Sequence, residues 1–176
     1  MYVRRWLLCV VCVALLSLLL PASHAWAQPR ETMSLDGVWS FATDLDSQGE
    51  FEKWFLPDAK LPVMPLPGYA STADGKIVVP GVWDNQGYGT ATDKVHHNFV
   101  GKGWYKRQVE IPAAWAGRRV FLAITGVSRY SKVWVDSRFL GEHIGFLSVQ
   151  EYDITPYVTP GATVTLTIQV DSKQRW

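Results

Sequence analysis

Cysteine is scarce in this sequence, and the two that occur, Cys9 and Cys12, both lie near its start. Beyond them the chain offers no thiol, which excludes a disulfide scaffold, a cysteine zinc site and thiol catalysis from the rest of it. An excess of one charge is also lacking. Lys and Arg number 17 against 16 Asp and Glu, a net charge of +1 with no long basic run, so nothing invites a nucleic acid. Internal repeats, a phosphate-cradling glycine loop and a Gly-x-Ser-x-Gly elbow are missing, which disfavours a propeller, a nucleotide site and a serine hydrolase elbow. Length sets the last limit: 176 residues suit one domain and fall short of the roughly 250 of a (β/α)8 barrel.

A single long apolar run opens the chain. Arg4 and Arg5 precede Leu7 to Leu20, apolar apart from Ser17, then Pro21 breaks the run and Ala25-Trp26-Ala27 closes it. A basic start, a short apolar stretch and an A-x-A end are the parts of a secretory signal. At about 1.5 Å per residue the run covers about 21 Å, short of the roughly 30 Å hydrocarbon core that an anchor must cross. Residues 1–27 are therefore expected to be a signal peptide and 28–176 the exported domain, periplasmic or extracellular, with no membrane contact after cleavage. Loss of Arg4 and Arg5 leaves 15 basic against 16 acidic residues, a net charge of −1.

What remains reads as short strands between turns. In Thr163 to Val170, Val164, Leu166, Ile168 and Val170 alternate with Thr163, Thr165, Thr167 and Gln169, the signature of a half-buried strand. Arg119–Thr125 repeats the pattern with Val120, Leu122 and Ile124 inward. Gly37–Thr43 opens the fold with Trp39 and Phe41 on one face, and Trp104–Ile111 is stopped by Pro112. Lys132–Val135 and Arg138–Gly141 flank Asp136-Ser137 as a hairpin, although Ser tolerates positive φ poorly. Between Phe51 and Gly103 the chain is proline-rich and loose, with Lys76–Val79 its one predicted strand. Antiparallel strands at this spacing predict an all-β, jelly-roll sandwich.

Chemistry-bearing residues are few. Asp44 and Asp46, or Asp84 and Asp93, could supply the paired carboxylates of a glycosidase, which in a retaining enzyme stand about 5–5.5 Å apart. Aspartates that close turns are the plainer reading. His96 and His97 are adjacent, so on a strand they point to opposite faces and do not chelate one ion; no metal and no cofactor is expected. Trp39, Trp104 and Trp134 lie on strands and belong to the core, and Trp115 packs over a turn. Trp83, in a polar loop, can stack on a sugar face by apolar contact, with Asp84 beside it as a second candidate.

The order of the segments is familiar. Leu35-Asp36-Gly37-Val38-Trp39-Ser40-Phe41, Val79-Pro80-Gly81-Val82-Trp83-Asp84, Gly103-Trp104-Tyr105-Lys106-Arg107, Ile111-Pro112 with Trp115-Ala116-Gly117, Lys132-Val133-Trp134-Val135, and Gly141-Glu142-His143 with Asp153-Ile154-Thr155-Pro156-Tyr157-Val158 follow one another as in glycoside hydrolase family 2. The last group is most similar to the β-glucuronidase branch. The resemblance implies an N-terminal sugar-binding domain, galactose-binding-domain-like in fold, in a family of β-galactosidases, β-glucuronidases and β-mannosidases.

It also implies limits. In the family an immunoglobulin-like domain and a catalytic barrel follow, and the acid/base is the Glu of an Asn-Glu pair; this sequence contains no Asn-Glu, so no catalytic residue is carried over. A further strand resembling G-I-x-R-x-V usually ends the family's jelly roll, so the sandwich is expected to lack its last strand and to leave the strand at 163–170 as an exposed edge. One residue is carried over: Asn98 in His97-Asn98-Phe99 matches an Asn on a loop that reaches the sugar, and an amide both donates to and accepts from hydroxyls. The expected partner is a β-glycoside carbohydrate, with a separate catalytic barrel chain as a second. The alternatives are a lectin-like module acting alone and a docking domain for that chain.

Overall fold

The computed structural model describes residues 29–63, 75–91 and 97–173. The predicted signal peptide, Asp93 and His96 lie outside them. The chain divides into two units, 1–34 and 35–176. Residues 29–34 form no helix or strand; the second unit carries every described strand.

The strands are β1 (Gly37–Asp44), β2 (Lys76–Val79), β3 (Thr90–Ala91), β4 (His97–Asn98), β5 (Lys102–Glu110), β6 (Phe121–Ile124), β7 (Ser128–Val135), β8 (Arg138–Phe146), β9 (Gln150–Asp153) and β10 (Thr163–Asp171). Six of them form one sheet in the order β2-β1-β5-β10-β7-β8, while β6 pairs with β9 and β3 with β4. Every pairing is antiparallel. One face of the large sheet contributes Trp39, Phe41, Val109, Val133, Val135, Val164 and Leu166 to a core closed from the opposite layer by Val120, Leu122 and Ile154. This is the predicted all-β sandwich. Each fully buried aliphatic or Phe side chain in it is worth about 1.5–3 kcal/mol.

The alternation in Thr163–Val170 marks the inward face correctly, but the expectation of a solvent-facing partner face is overturned. Thr165, Thr167, Gln169 and Asp171 are all buried. The reason is a second hydrophobic cluster on that side, in which Trp54 joins Ala42, Trp104 and Trp134, with Phe55 and Leu61 against it. Trp134 stacks between Phe55, 5.5 Å away, and Trp104, 5.4 Å away, while Trp54 meets Trp104 edge-on. The loop after β1 thus folds back as a cover. Gly49 lies so flat on Trp104 that a Cβ there would fall 2.6 Å from the indole nitrogen. Asp44 starts the fold-back: its carboxylate accepts from Gln48 N–H at 2.8 Å, Gly49 N–H at 3.1 Å and the Trp104 indole N–H at 3.0 Å.

The expected exposed edge is also corrected. Over Leu166–Asp171, β10 is paired on both sides, with β5 and with β7, and sits inside the sheet. Its place was set by a pairing 53 to 69 residues back in sequence, Thr163 opposite Glu110 through Asp171 opposite Lys102. No vacant side therefore remains along that stretch. The β7–β8 hairpin turns at Asp136, whose φ is +49°, so the left-handed residue is the Asp and not Ser137. Asp136 also continues the ladder onto β10, donating its N–H to Thr165 O at 2.7 Å and accepting Thr165 N–H on Oδ1 at 2.8 Å.

Candidate functional site

The stretch from Pro80 to Gly101 carries all three candidate sugar contacts. Trp83 and Asp84 open a short 3₁₀ turn, Trp83–Gln86. Its last residue, Gln86, uses its amide to fill the free edge of β2, accepting from Val78 N–H at 2.7 Å and donating to Val78 O at 3.0 Å. The Tyr88 hydroxyl donates to Lys76 O at 2.6 Å. These bonds fasten the loop to the sheet in place of a further strand.

Trp83 is half-buried. Its ring lies 6.0 Å from Phe41 and meets Phe99 edge-on at 5.6 Å, and its indole N–H donates to Phe99 O at 3.2 Å. Asp84 Oδ1 accepts the Phe99 N–H at 3.0 Å. Both residues therefore hold the backbone of Phe99, itself 3% exposed. Asn98, the next residue back, is exposed and pairs with Thr90 in the small β3–β4 ladder. The structure brings the three candidates together as one unit, with Asn98 on the outside and the other two behind it.

A cluster of charge lies on the covered face of the sheet. Glu50, on the cover loop, accepts from Lys132 Nζ at 2.6 Å, Gln169 Nε2 at 3.1 Å and Lys102 Nζ at 3.4 Å. Burial alone would raise its pKa, but these hydrogen bonds and the charges of Lys132 and Lys102 outweigh that and hold it below the ordinary Glu value. Lys106 is buried on the same face of β5 as Lys102 and donates to Leu56 O at 2.8 Å, and burial lowers its pKa against the opposing pull of Asp58. No sequence signal marks this network, because Glu50 lies 52 residues from Lys102 and 119 from Gln169.

The other motif residues take architectural roles. Arg107 Nη1 donates to Leu35 O at 2.7 Å and Asp36 O at 2.9 Å, with its guanidinium 5.9 Å from the Trp39 ring centre. Trp39 Nε1 donates to the same Leu35 carbonyl at 2.8 Å. Asp153 accepts from Thr155 and from Arg119, 2.6 Å away in each case, and those bonds pull its pKa down to about 2. Among the described residues no group of three or more His, Cys, Asp or Glu is placed to hold a metal ion.

A family model described as the glycosyl hydrolase family 2 sugar-binding domain matches residues 32–176. The chain belongs to that family. It is 33% identical over 138 residues to the β-glucuronidase of Canis lupus familiaris, covering 75% of this chain and 19% of the relative. To the β-glucuronidase of Rattus norvegicus it is 31% identical over 176 residues, covering 96% and 25% respectively. Among solved structures, the β-glucuronidase of Ruminococcus gnavus aligns with a TM-score of 0.68 at 20% identity, over 85% of this chain and 23% of that one. The fold agrees, and this chain spans a fifth to a quarter of the length of these relatives. As a family 2 sugar-binding domain it uses the paired L-D-G-x-W and W-Y-x-R motifs to lock β1 to β5 through Leu35, Trp39 and Arg107.

Proposed function

We propose that this chain is the non-catalytic, sugar-recognising part of a family 2 β-glycosidase and that Asn98 contacts the sugar. The observation that carries the non-catalytic reading is how the carboxylates are used. Every buried or half-buried one among the described residues is engaged: Asp44, Asp84, Asp136 and Asp171 accept backbone N–H groups and Glu50 accepts three side chains. A glycosidase acid needs a raised pKa, and that of Glu50 is lowered. The amide of Asn98, by contrast, is exposed on a segment held from behind.

Carbohydrate is the ligand class, supported by the family description. One solved relative is a complex with D-glucuronic acid, which makes D-glucuronate the first probe. The basic, apolar and Ala-Trp-Ala opening supports export before the domain works. The catalytic barrel is supplied outside these residues, whether in the same polypeptide or in a separate chain. The test is a titration of the ¹⁵N-labelled chain with D-glucuronate and with methyl β-D-galactoside. Saturable shifts of the Asn98 side-chain amide, lost in Asn98→Ala, are expected with at least one sugar, and no turnover of chromogenic β-glucuronide, β-galactoside or β-mannoside. Shifts confined to other residues, or turnover abolished by replacing one Asp of this chain, would overturn the reading.

A further inference from the structure

We infer that Trp83 and Asp84 are positioning residues that aim the Asn98 side chain by gripping both backbone polar groups of Phe99; this rests on the reading of Asn98 as the sugar contact. An exposed side chain directs a ligand only as well as its own backbone is held. The β3–β4 ladder is two residues long and cannot hold itself, since even a full isolated hairpin is marginal in water. Something else must fix residue 98.

Three contacts do so from one side. Asp84 Oδ1 takes the Phe99 N–H at 3.0 Å, and the Trp83 indole N–H gives to Phe99 O at 3.2 Å, so neither backbone group is free to turn. The Phe99 ring is buried against the Trp83 ring at 5.6 Å, which prevents rotation about the gripped peptide. Gly89 closes on the Asn98 carbonyl so tightly that a Cβ would fall 2.4 Å from that oxygen. Beyond Phe99 the chain is tied again, with Gly101 N–H on Ser172 Oγ at 3.0 Å and Ser172 N–H on Gly101 O at 2.9 Å. The segment is held at Asn98 and after it, while Asn98 itself is exposed. Trp83 and Asp84 thereby serve the sugar through Asn98 without touching it.

The test uses the full chain, with two readouts in each variant: hydrogen exchange at the Phe99 amide, and D-glucuronate affinity from the Asn98 side-chain shifts. Asp84→Ala is expected to speed exchange about tenfold or more, the worth of a hydrogen bond to a charged group, and to weaken the sugar in step. Asp84→Asn keeps an oxygen that accepts from Phe99 N–H and should bring both readouts back to within about threefold of wild type. Trp83→Phe keeps a ring but loses the donor, and should move both by about 2- to 12-fold, one ordinary hydrogen bond. Faster exchange in Asp84→Ala or Trp83→Phe with unchanged sugar affinity overturns the positioning role and leaves the Asn98 contact standing. A wild-type chain whose Asn98 amide ignores the sugar overturns the contact itself, and this inference with it.

Discussion

Replacing Asp44 by Ala is the sharpest probe of the second hydrophobic cluster. The side chain is 2% exposed and accepts three hydrogen bonds, from Gln48 N–H, Gly49 N–H and the Trp104 indole. Alanine removes every acceptor and leaves three donors, two of them in buried surroundings. An unsatisfied buried donor costs about 1–3 kcal/mol. Gln48 is exposed and finds water, so the sum rests on Gly49 and Trp104, giving about 2–6 kcal/mol. Against a net stability of about 5–15 kcal/mol that is a large share. In a protein of this size about 3 kcal/mol lowers the midpoint by about 6–12 °C.

The assay is urea unfolding followed by tryptophan fluorescence, with thermal melts beside it. Asp44→Asn sharpens the result, because its amide presents one oxygen and one donor where the carboxylate presents two acceptors. It should fall between wild type and Asp44→Ala. Asp46→Ala, two residues on and exposed, should stay within about 0.5 kcal/mol. An Asp44→Ala chain within about 1 kcal/mol of wild type would refute the claim that this carboxylate organises the cover.

Glu50 gives a pH signature. Its folded pKa is lowered, so its contribution is present above the ordinary Glu value near 4.3 and is lost as pH falls through the lowered folded value. Its side chain is 36% exposed, which keeps the effect below about 1 kcal/mol, and Glu50→Gln melts should show a smaller loss between pH 6 and pH 3 than wild type. Arg107→Ala removes two charge-assisted bonds to Leu35 O and Asp36 O and should cost about 1.5–3 kcal/mol by urea denaturation, with Arg107→Lys recovering only part. Asp136→Ala loses the Thr165 acceptor and keeps an unfavourable φ of +49°, and should cost about 1–3 kcal/mol; Asp136→Asn, which keeps both features, should sit close to wild type in the same melts.

Period-two alternation found β1, β6 and β10, strand-forming runs marked β2 and β5, and the turn at Asp136-Ser137 marked only the adjoining halves of β7 and β8. It missed β9, whose Gln-Glu-Tyr-Asp has a single apolar member and is a strand because β6 pairs with it. It missed β3 and β4, two residues each, which no periodicity can mark. The interior place of β10 escaped for a different reason. Alternation reports which face of a strand is apolar and carries no information about its neighbours, and those are strands β5 and β7 well upstream. The burial of Thr165, Thr167 and Gln169 escaped likewise, since a threonine beneath a tryptophan-bearing loop has the same letter as one in water.

The candidate site was legible by position more than by role. Trp83 and Asp84 stood out as an aromatic and a carboxylate in a polar loop, and the structure shows each committed to the Phe99 backbone. Their chemistry is that of a sugar contact and of a loop clasp alike, because both tasks use a ring and a hydrogen-bonding tip. What separates the two is the direction of the side chain, which sequence does not encode locally. Glu50 makes the converse case. It carries no motif, yet it joins the cover loop to β5, β7 and β10 at once through Lys102, Lys132 and Gln169. A residue that closes contacts across 52, 82 and 119 positions is visible only after the chain has folded. The motif residues that define the family, Trp39 and Arg107 among them, do the reverse: they are recognisable in sequence because they repeat one local task, holding β1 against β5.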